Sequence, residues 1–448
     1  MKRTVFLLTI ILSAAGFLFA QQPAQTPPAK DQAVYKDKYK DPTLKEMEDA
    51  SDKAKDAAES ATSDIQKKNK DEKKAEGDAE KHFWMDFSKI QKPRVEDYKQ
   101  IWHNPPQAQY LTGTCWDFST TSLMESEIFR LTGKKVKLSE IHTVYYEYIE
   151  KAKAYLSGRG NTPMDEGSEA DAVQRIYKAY GAVPLEAYPG VLSPDGRHDH
   201  SKLIERLQNY LKYVKENGYW NETETLAVVR VYLDEFLGKP PESFTYDGAI
   251  WTPKTFLKDY LKLNPDDYVS VMSTMRSPFW TQAEFKAADN WRRAKDYYNV
   301  PLDDFYALVR KAVAGGYSIC IGGDVSEPGD NGFAKVAVIP SFDIPSSMID
   351  QSAREMRIVN ETTGDDHGIH LVGYTHLKDH DWYLIKDSGR SSRWEKPEGY
   401  YFYRDDYIKL KMLTLTFHKD VLKDLLSKFA APEPDPKAEK EAPAAPAK

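Results

Sequence analysis

Apolar positions divide the chain into zones of different period. Val5 to Phe19 is an unbroken apolar run behind Lys2 and Arg3. From Pro42 to about Lys81 the chain is Lys, Asp, Glu and Ala, with Leu44, Met47 and Ile65 almost its only large aliphatics. Such a stretch is either an exposed helix with i,i+4 ion pairs or a solvated linker, and it cannot build a core. Globular character begins near His82-Phe-Trp-Met-Asp-Phe87. Helical spacing then marks Trp116 to Leu131 as an amphipathic run closed by Gly133, Leu138 to Leu156, and a third run ending at Tyr180-Gly181. Residues 191–300 read as mostly helical, with Tyr, Trp and Lys interleaved and little strand signal; Arg292-Arg293 read as a solvated helix face. Another helix runs from Leu302 to Gly315-Gly316. Short β-branched or aromatic runs then predict strands at Ser318–Ile321, Ile369–Tyr374, Trp382–Lys386, Tyr400–Arg404 and Met412–Phe417. The helical part thus gives way to a β-rich part after Gly315-Gly316.

These zones set the expected boundaries: 1–20 a signal peptide, 21–85 a charged linker or helical arm, 86–429 one folded domain with a helical insertion at about 191–300, and 430–448 a disordered tail rich in Pro, Ala, Glu and Lys. The apolar run of residues 5–19 is too short to span a bilayer, and Ala20 precedes Gln21-Gln22 as a cleavage point. The expected location is therefore extracytoplasmic, periplasmic or secreted, with no membrane association after cleavage. Charge changes the picture little: 62 basic against 69 acidic residues give a net of −7, without the basic surface a nucleic-acid partner needs.

Two cysteines in an oxidising space would ordinarily pair. Cys320, however, lies in Tyr317-Ser-Ile-Cys-Ile-Gly-Gly-Asp324, an apolar run of buried-strand type. Two free thiols are expected, one structural and one reactive. The reactive one is Cys115, in Gln109-Tyr-Leu-Thr-Gly-Thr-Cys-Trp-Asp-Phe-Ser119. It follows a turn and opens a helix, where the macrodipole favours thiolate, the nucleophilic form. Gln109, six residues upstream, carries an amide suited to an oxyanion. A thiolate needs an imidazole, and His367 follows the polar loop 361–366 and opens a strand. A hairpin turning at Leu377–Asp381 brings Asp387 beside His367 to orient it. A satisfied histidine at a strand end is the competing reading of His367 alone. His376 and His380 are spaced like metal ligands but lack a second pair, so no metal is expected. Neither Gly315-Gly316 nor Gly322-Gly323 has the order of a phosphate loop, so no cofactor is expected.

Gln109 with Gly113-Thr-Cys-Trp-Asp-Phe118 resembles the active-site segment of papain-like cysteine peptidases, most nearly the bleomycin hydrolase and aminopeptidase C branch. Leu138-Ser-Glu, Gly167-Ser-Glu-Ala-Asp171, Lys178 to Pro184, Ser318 to Val325, His367-Gly-Ile-His-Leu-Val-Gly373 and Gly399 to Tyr407 resemble further segments of that branch, in its order, over about residues 95–425. The resemblance implies an α+β, two-lobed papain-like fold, one lobe helical and one antiparallel β, with the site between them. It implies peptide or protein hydrolysis by Cys115, His367 and Asp387, with the Cys115 amide and Gln109 on the oxyanion and Gly167, Ser168 and Trp116 binding substrate. Three features depart from the branch. Its orienting Asn is Asp387 here, followed by Ser-Gly-Arg390 without the usual Trp; its cleft Gly-Gly is Gly167-Ser168; and a charged tail stands where the branch places a cleft-filling C-terminus. Aminopeptidase specificity is therefore not carried over. The alternative function is a catalytically impaired homologue that binds a peptide or a partner protein.

Overall fold

The computed structural model describes residues 41–79, 81 and 83–429. The expected signal segment and the tail lie outside them. Two compact units divide near His82. In the first, Pro42–Ala79 is one helix of 38 residues whose described side chains are exposed. Its ion pairs, Lys55–Asp52 at 3.9 Å and Lys68–Glu72 at 3.7 Å, are surface pairs of small worth.

In the second unit an eleven-stranded sheet runs in the order Thr281–Ala283, Tyr297–Asn299, Tyr268–Met272, Met412–His418, Ile319–Gly323, His367–Leu377, His380–Lys386, Tyr400–Arg404, Val336–Ala337 and Asp330–Asn331, with Lys99–Gln100 added against His367–Leu377. All five strands expected from the sequence are present. The sheet is mixed rather than wholly antiparallel, because Tyr400–Arg404 pairs in parallel with Val336–Ala337, and Tyr268–Met272 with Tyr297–Asn299. Both parallel pairs register only two residue pairs, too short to leave a pattern in the sequence.

The segment 191–300 has its two long helices, Ser201–Glu216 and Glu222–Leu237, in its first half, and only short helical turns, Pro253–Thr255, Phe256–Tyr260 and Pro265–Asp267, in its second. Its second half holds a small hairpin, Phe244–Tyr246 with Ala249–Trp251, and then three strands of the main sheet. At three to five residues each these strands fall below the length at which periodicity is readable. Arg292 and Arg293 lie outside any helix, in the loop between two of these strands.

Helix Cys115–Thr132 ends on Gly133, whose φ of 72° is the left-handed cap that glycine adopts without strain. It is buried nearly all round rather than amphipathic, and two of its acids are paired internally. Glu125 takes Lys137 at 2.8 Å and Asn104 at 2.9 Å, and Glu127 takes Arg130 at 2.7 Å. Polar residues at such positions imitate a solvent face in the sequence. Helix Glu140–Ser157 follows, capped by the Ser139 side chain accepting from the His142 amide. One set of buried apolar side chains joins these helices through Met124, Ile128, Val144, Tyr148, Val173 and Leu233. A second gathers Ile321, Ile369, Ile385 and Leu415 of the sheet with Val309 of helix Leu302–Ala314.

Candidate active site

The site forms where strand His367–Leu377 lies against the first turn of helix Cys115–Thr132. Glycine permits that approach. A Cβ on Gly368 would stand 2.9 Å from Ser119 Oγ and 3.3 Å from Trp116 Cα. The chain reaches Cys115 through Tyr110, held at φ 54°, and Gly113, where a Cβ would press on Glu166 at 2.9 Å. Cys115 is half-buried, Trp116 is buried, and the Trp116 indole donates to Glu166 O at 3.0 Å.

His367 and Asp387 come together as the hairpin register requires: His370 pairs with Lys386, and Asp387 follows immediately. His367 Nε2 lies 2.7 Å from Asp387 Oδ1, leaving Nδ1 for the sulfur. The same oxygen accepts the Gly389 amide at 2.7 Å. A Cβ on Gly389 would stand 3.1 Å from His367 Nε2, so glycine leaves this bond uncrowded. Burial works against charge on the imidazole, yet Asp387 and the adjacent Cys115 hold its pKa well above the usual histidine range. Burial also opposes the Asp387 carboxylate, but His367 and the Gly389 amide keep its pKa below the ordinary value. The pair is thus built as imidazolium and carboxylate.

Gln109 is pinned to the same corner. Its amide accepts from Ser388 Oγ at 2.7 Å, its backbone N–H donates to Ser388 O at 3.1 Å, and Nε2 donates to Thr112 O at 2.7 Å. An amide NH2 has two hydrogens, so one donor remains to Nε2. Ser168 donates to Glu147 Oε1 at 2.8 Å and lines the cavity at Cys115. Gly167 is covered: a Cβ there would fall 2.3 Å from Asp289 Oδ1. The cavity holds about 20 Å³ and is lined by Cys115, Ser168, Glu169, Asp289, Asp365 and His367, among others. Glu169, Asp289 and Asp365 were not singled out from the sequence.

Cys320 and four further histidines are committed to other partners. Cys320 is free and buried, 3.3 Å from Thr120 Oγ1, and burial pushes its thiol up to about 11. His370 lies 2.8 Å from Ser122 Oγ and is held neutral by burial and by Lys386. His103 bonds Ile101 O and Tyr400 Oη, and burial lowers it to about 4. His376 and His380 each face their own carboxylate, Asp381 at 2.9 Å and Asp405 at 2.8 Å.

A helix-borne cysteine against a strand-borne histidine, on an α+β frame, defines the cysteine-peptidase class. The chain belongs to the Peptidase C1-like family, whose model matches residues 50–436. It is 22% identical over 364 residues to aminopeptidase C of Lactococcus lactis subsp. lactis, covering 71% of this chain and 81% of that protein. To aminopeptidase C of Streptococcus thermophilus it is 26% identical over 266 residues, covering half of this chain and 59% of the relative. Bleomycin hydrolase of Rattus norvegicus is 21% identical over 270 residues, again with 59% of the relative covered. Among solved structures, PepW from Lactobacillus rhamnosis HN001 shares the fold with a TM-score of 0.59 at 19% identity, over 74% of this chain and 85% of that one.

Proposed function

We propose that this chain is an exported cysteine peptidase with a two-lobed papain-like fold, its helical lobe carrying Cys115 and its β lobe carrying His367. The observation that carries the reading is the His367–Asp387 bond of 2.7 Å beside Cys115. Cys115 Sγ attacks the scissile carbonyl carbon. The Cys115 amide at the helix N-terminus and the free N–H of Gln109 hold the oxyanion. His367 gives its proton to the leaving amine, and water then hydrolyses the thioester with neutral His367 accepting the proton. The substrate is a peptide or protein, with Ser168 and Trp116 bordering it.

Asp387 in place of the family's Asn has a testable consequence. Its charge raises the His367 pKa, so removing that charge lowers it, and the imidazolium is lost at lower pH. In Asp387→Asn the alkaline limb of kcat/KM for an unstructured fluorogenic peptide should therefore move to lower pH. A neutral hydrogen bond replaces a charged one, so peak turnover should stay within about tenfold of the parent. No hydrolysis by the parent protein at any pH would sink the peptidase reading. An unmoved limb would show that Asp387 does not set the charge of His367.

A further inference from the structure

Beyond strand His380–Lys386 the chain folds back over Asp387 to Arg393, and the proposed mechanism assigns a role only to the first of these residues. The turn is fastened at Gly389. Its N–H donates to Asp387 Oδ1, and its carbonyl accepts Ser392 Oγ at 2.6 Å and Arg393 Nη1 at 3.1 Å. The same Nη1 donates to Ser392 Oγ at 2.9 Å and to Asp387 O at 3.3 Å. Behind the turn, Lys335 Nζ donates to Ser392 O.

We propose that Arg393, backed by Lys335, is a positioning residue for the catalytic pair. It closes the turn that aims the Asp387 carboxylate at His367, and it supplies the counter-charge that keeps this buried carboxylate ionised through the reaction. The inference rests on the peptidase reading and names what holds the acid of that site in place.

Three observations support it. First, Arg393 acts at short range. A Cβ on Gly389 would stand 3.1 Å from His367 Nε2 and 3.2 Å from Asp387 Oδ1, so the guanidinium grips the residue that lies along the His367–Asp387 bond.

Second, neither cation is spent on an acid of its own. Their hydrogen bonds go to carbonyls and one hydroxyl, not to a carboxylate. Lys335 is fully buried and held at φ 59°, in the left-handed region, and each feature is costly in a lysine. Burial lowers its pKa to about 8 against the pull of Asp387, the carboxylate whose charge it feels most. Arg393 is half-buried, and its charge too is supported chiefly by Asp387.

Third, the reaction itself calls for a second cation. Asp387 is 5% exposed, and His367 is its ion-pair partner. Once His367 has given its proton to the leaving amine, the ring is neutral and Asp387 stands as a buried anion, a costly state without a cation nearby. Arg393, which already helps hold the Asp387 pKa below the ordinary value, keeps its charge at that moment. From the surrounding elements the pair also faces Cys115, Asp365 and Asp330, the last pushed well above the usual carboxylate range by burial and by the Asp387 charge. Glu398 lies near the two cations.

The test compares Arg393→Gln and Arg393→Lys with the parent through the pH profile of kcat/KM for an unstructured fluorogenic peptide. Losing a cation makes Cys115, Asp387 and His367 all hold their protons more tightly. In Arg393→Gln the whole profile should therefore move to higher pH by about half a unit, opposite in sign to Asp387→Asn. Arg393→Lys keeps the charge and should leave the profile where the parent has it. A turn that was merely slackened would weaken the His367–Asp387 bond and move the alkaline limb to lower pH. An unmoved or lowered profile in Arg393→Gln, or an equal shift in Arg393→Lys, would overturn the counter-charge. The pH midpoint of Cys115 alkylation by iodoacetamide should rise in Arg393→Gln in the same way. Because that reading needs no substrate, a parent protein that cleaves no peptide would sink the peptidase reading while the alkylation midpoint still decides the role of Arg393.

Discussion

His367→Ala is expected to lower peptide hydrolysis about 10⁴-fold, the upper end of what a general acid contributes, because two roles leave together. The imidazolium next to Cys115 favours the thiolate, and the same ring protonates the leaving amine. Binding of a non-hydrolysable peptide should survive, since His367 opens the strand without any apolar core role of its own. His370→Ala is the control. Three residues along the same strand, His370 is fully buried on Ser122 and held neutral, so its loss should leave hydrolysis in place. Loss of hydrolysis in His370→Ala with retention in His367→Ala would mean that the base has been assigned to the wrong histidine.

The second large effect is on stability. Lys411, fully buried at the end of helix Asp405–Lys411, reaches Asp324 at 3.1 Å, Thr362 O at 2.7 Å and Thr363 Oγ1 at 2.6 Å, and also pairs with Glu327. It thus ties the end of strand Ile319–Gly323 to the loop that delivers His367. Lys411→Met keeps the volume and removes the charge, leaving two acids without their cation. Breaking a buried pair in this way costs about 3–5 kcal/mol, to be read from denaturant unfolding of parent and variant. A loss under about 1 kcal/mol would mean that water or another group compensates the carboxylates.

Legibility in the sequence followed the range of the interaction. Thr-Gly-Thr before Cys115 and Gly after Thr132 are local signals, and the helix they bound is the one observed. The His367–Asp387 juxtaposition was readable because a hairpin fixes its own register, two strands and one turn being enough. The covered Gly167 was not readable. It depends on Asp289, more than a hundred residues later, in a loop held by asparagine and tryptophan bonds that leave no period. Glu169, Asp289 and Asp365 are likewise single acids in three separate segments, each indistinguishable in sequence from a solvated one until the fold gathers them at one cavity. The strands of residues 268–299 escaped for the opposite reason: they are short, and their partners come from the far C-terminal part of the chain or from one another.

The central claim is that Cys115 is a poised nucleophile, and the protein contains its own reference thiol. Treatment of the folded protein with limiting iodoacetamide at neutral pH, followed by peptide mapping, reads both cysteines in one sample. Cys115 should be alkylated selectively. Cys320, buried and raised to about 11, should remain unmodified until the protein is denatured. Folded protein in which Cys115 resists modification, or reacts no faster than Cys320, would contradict the account.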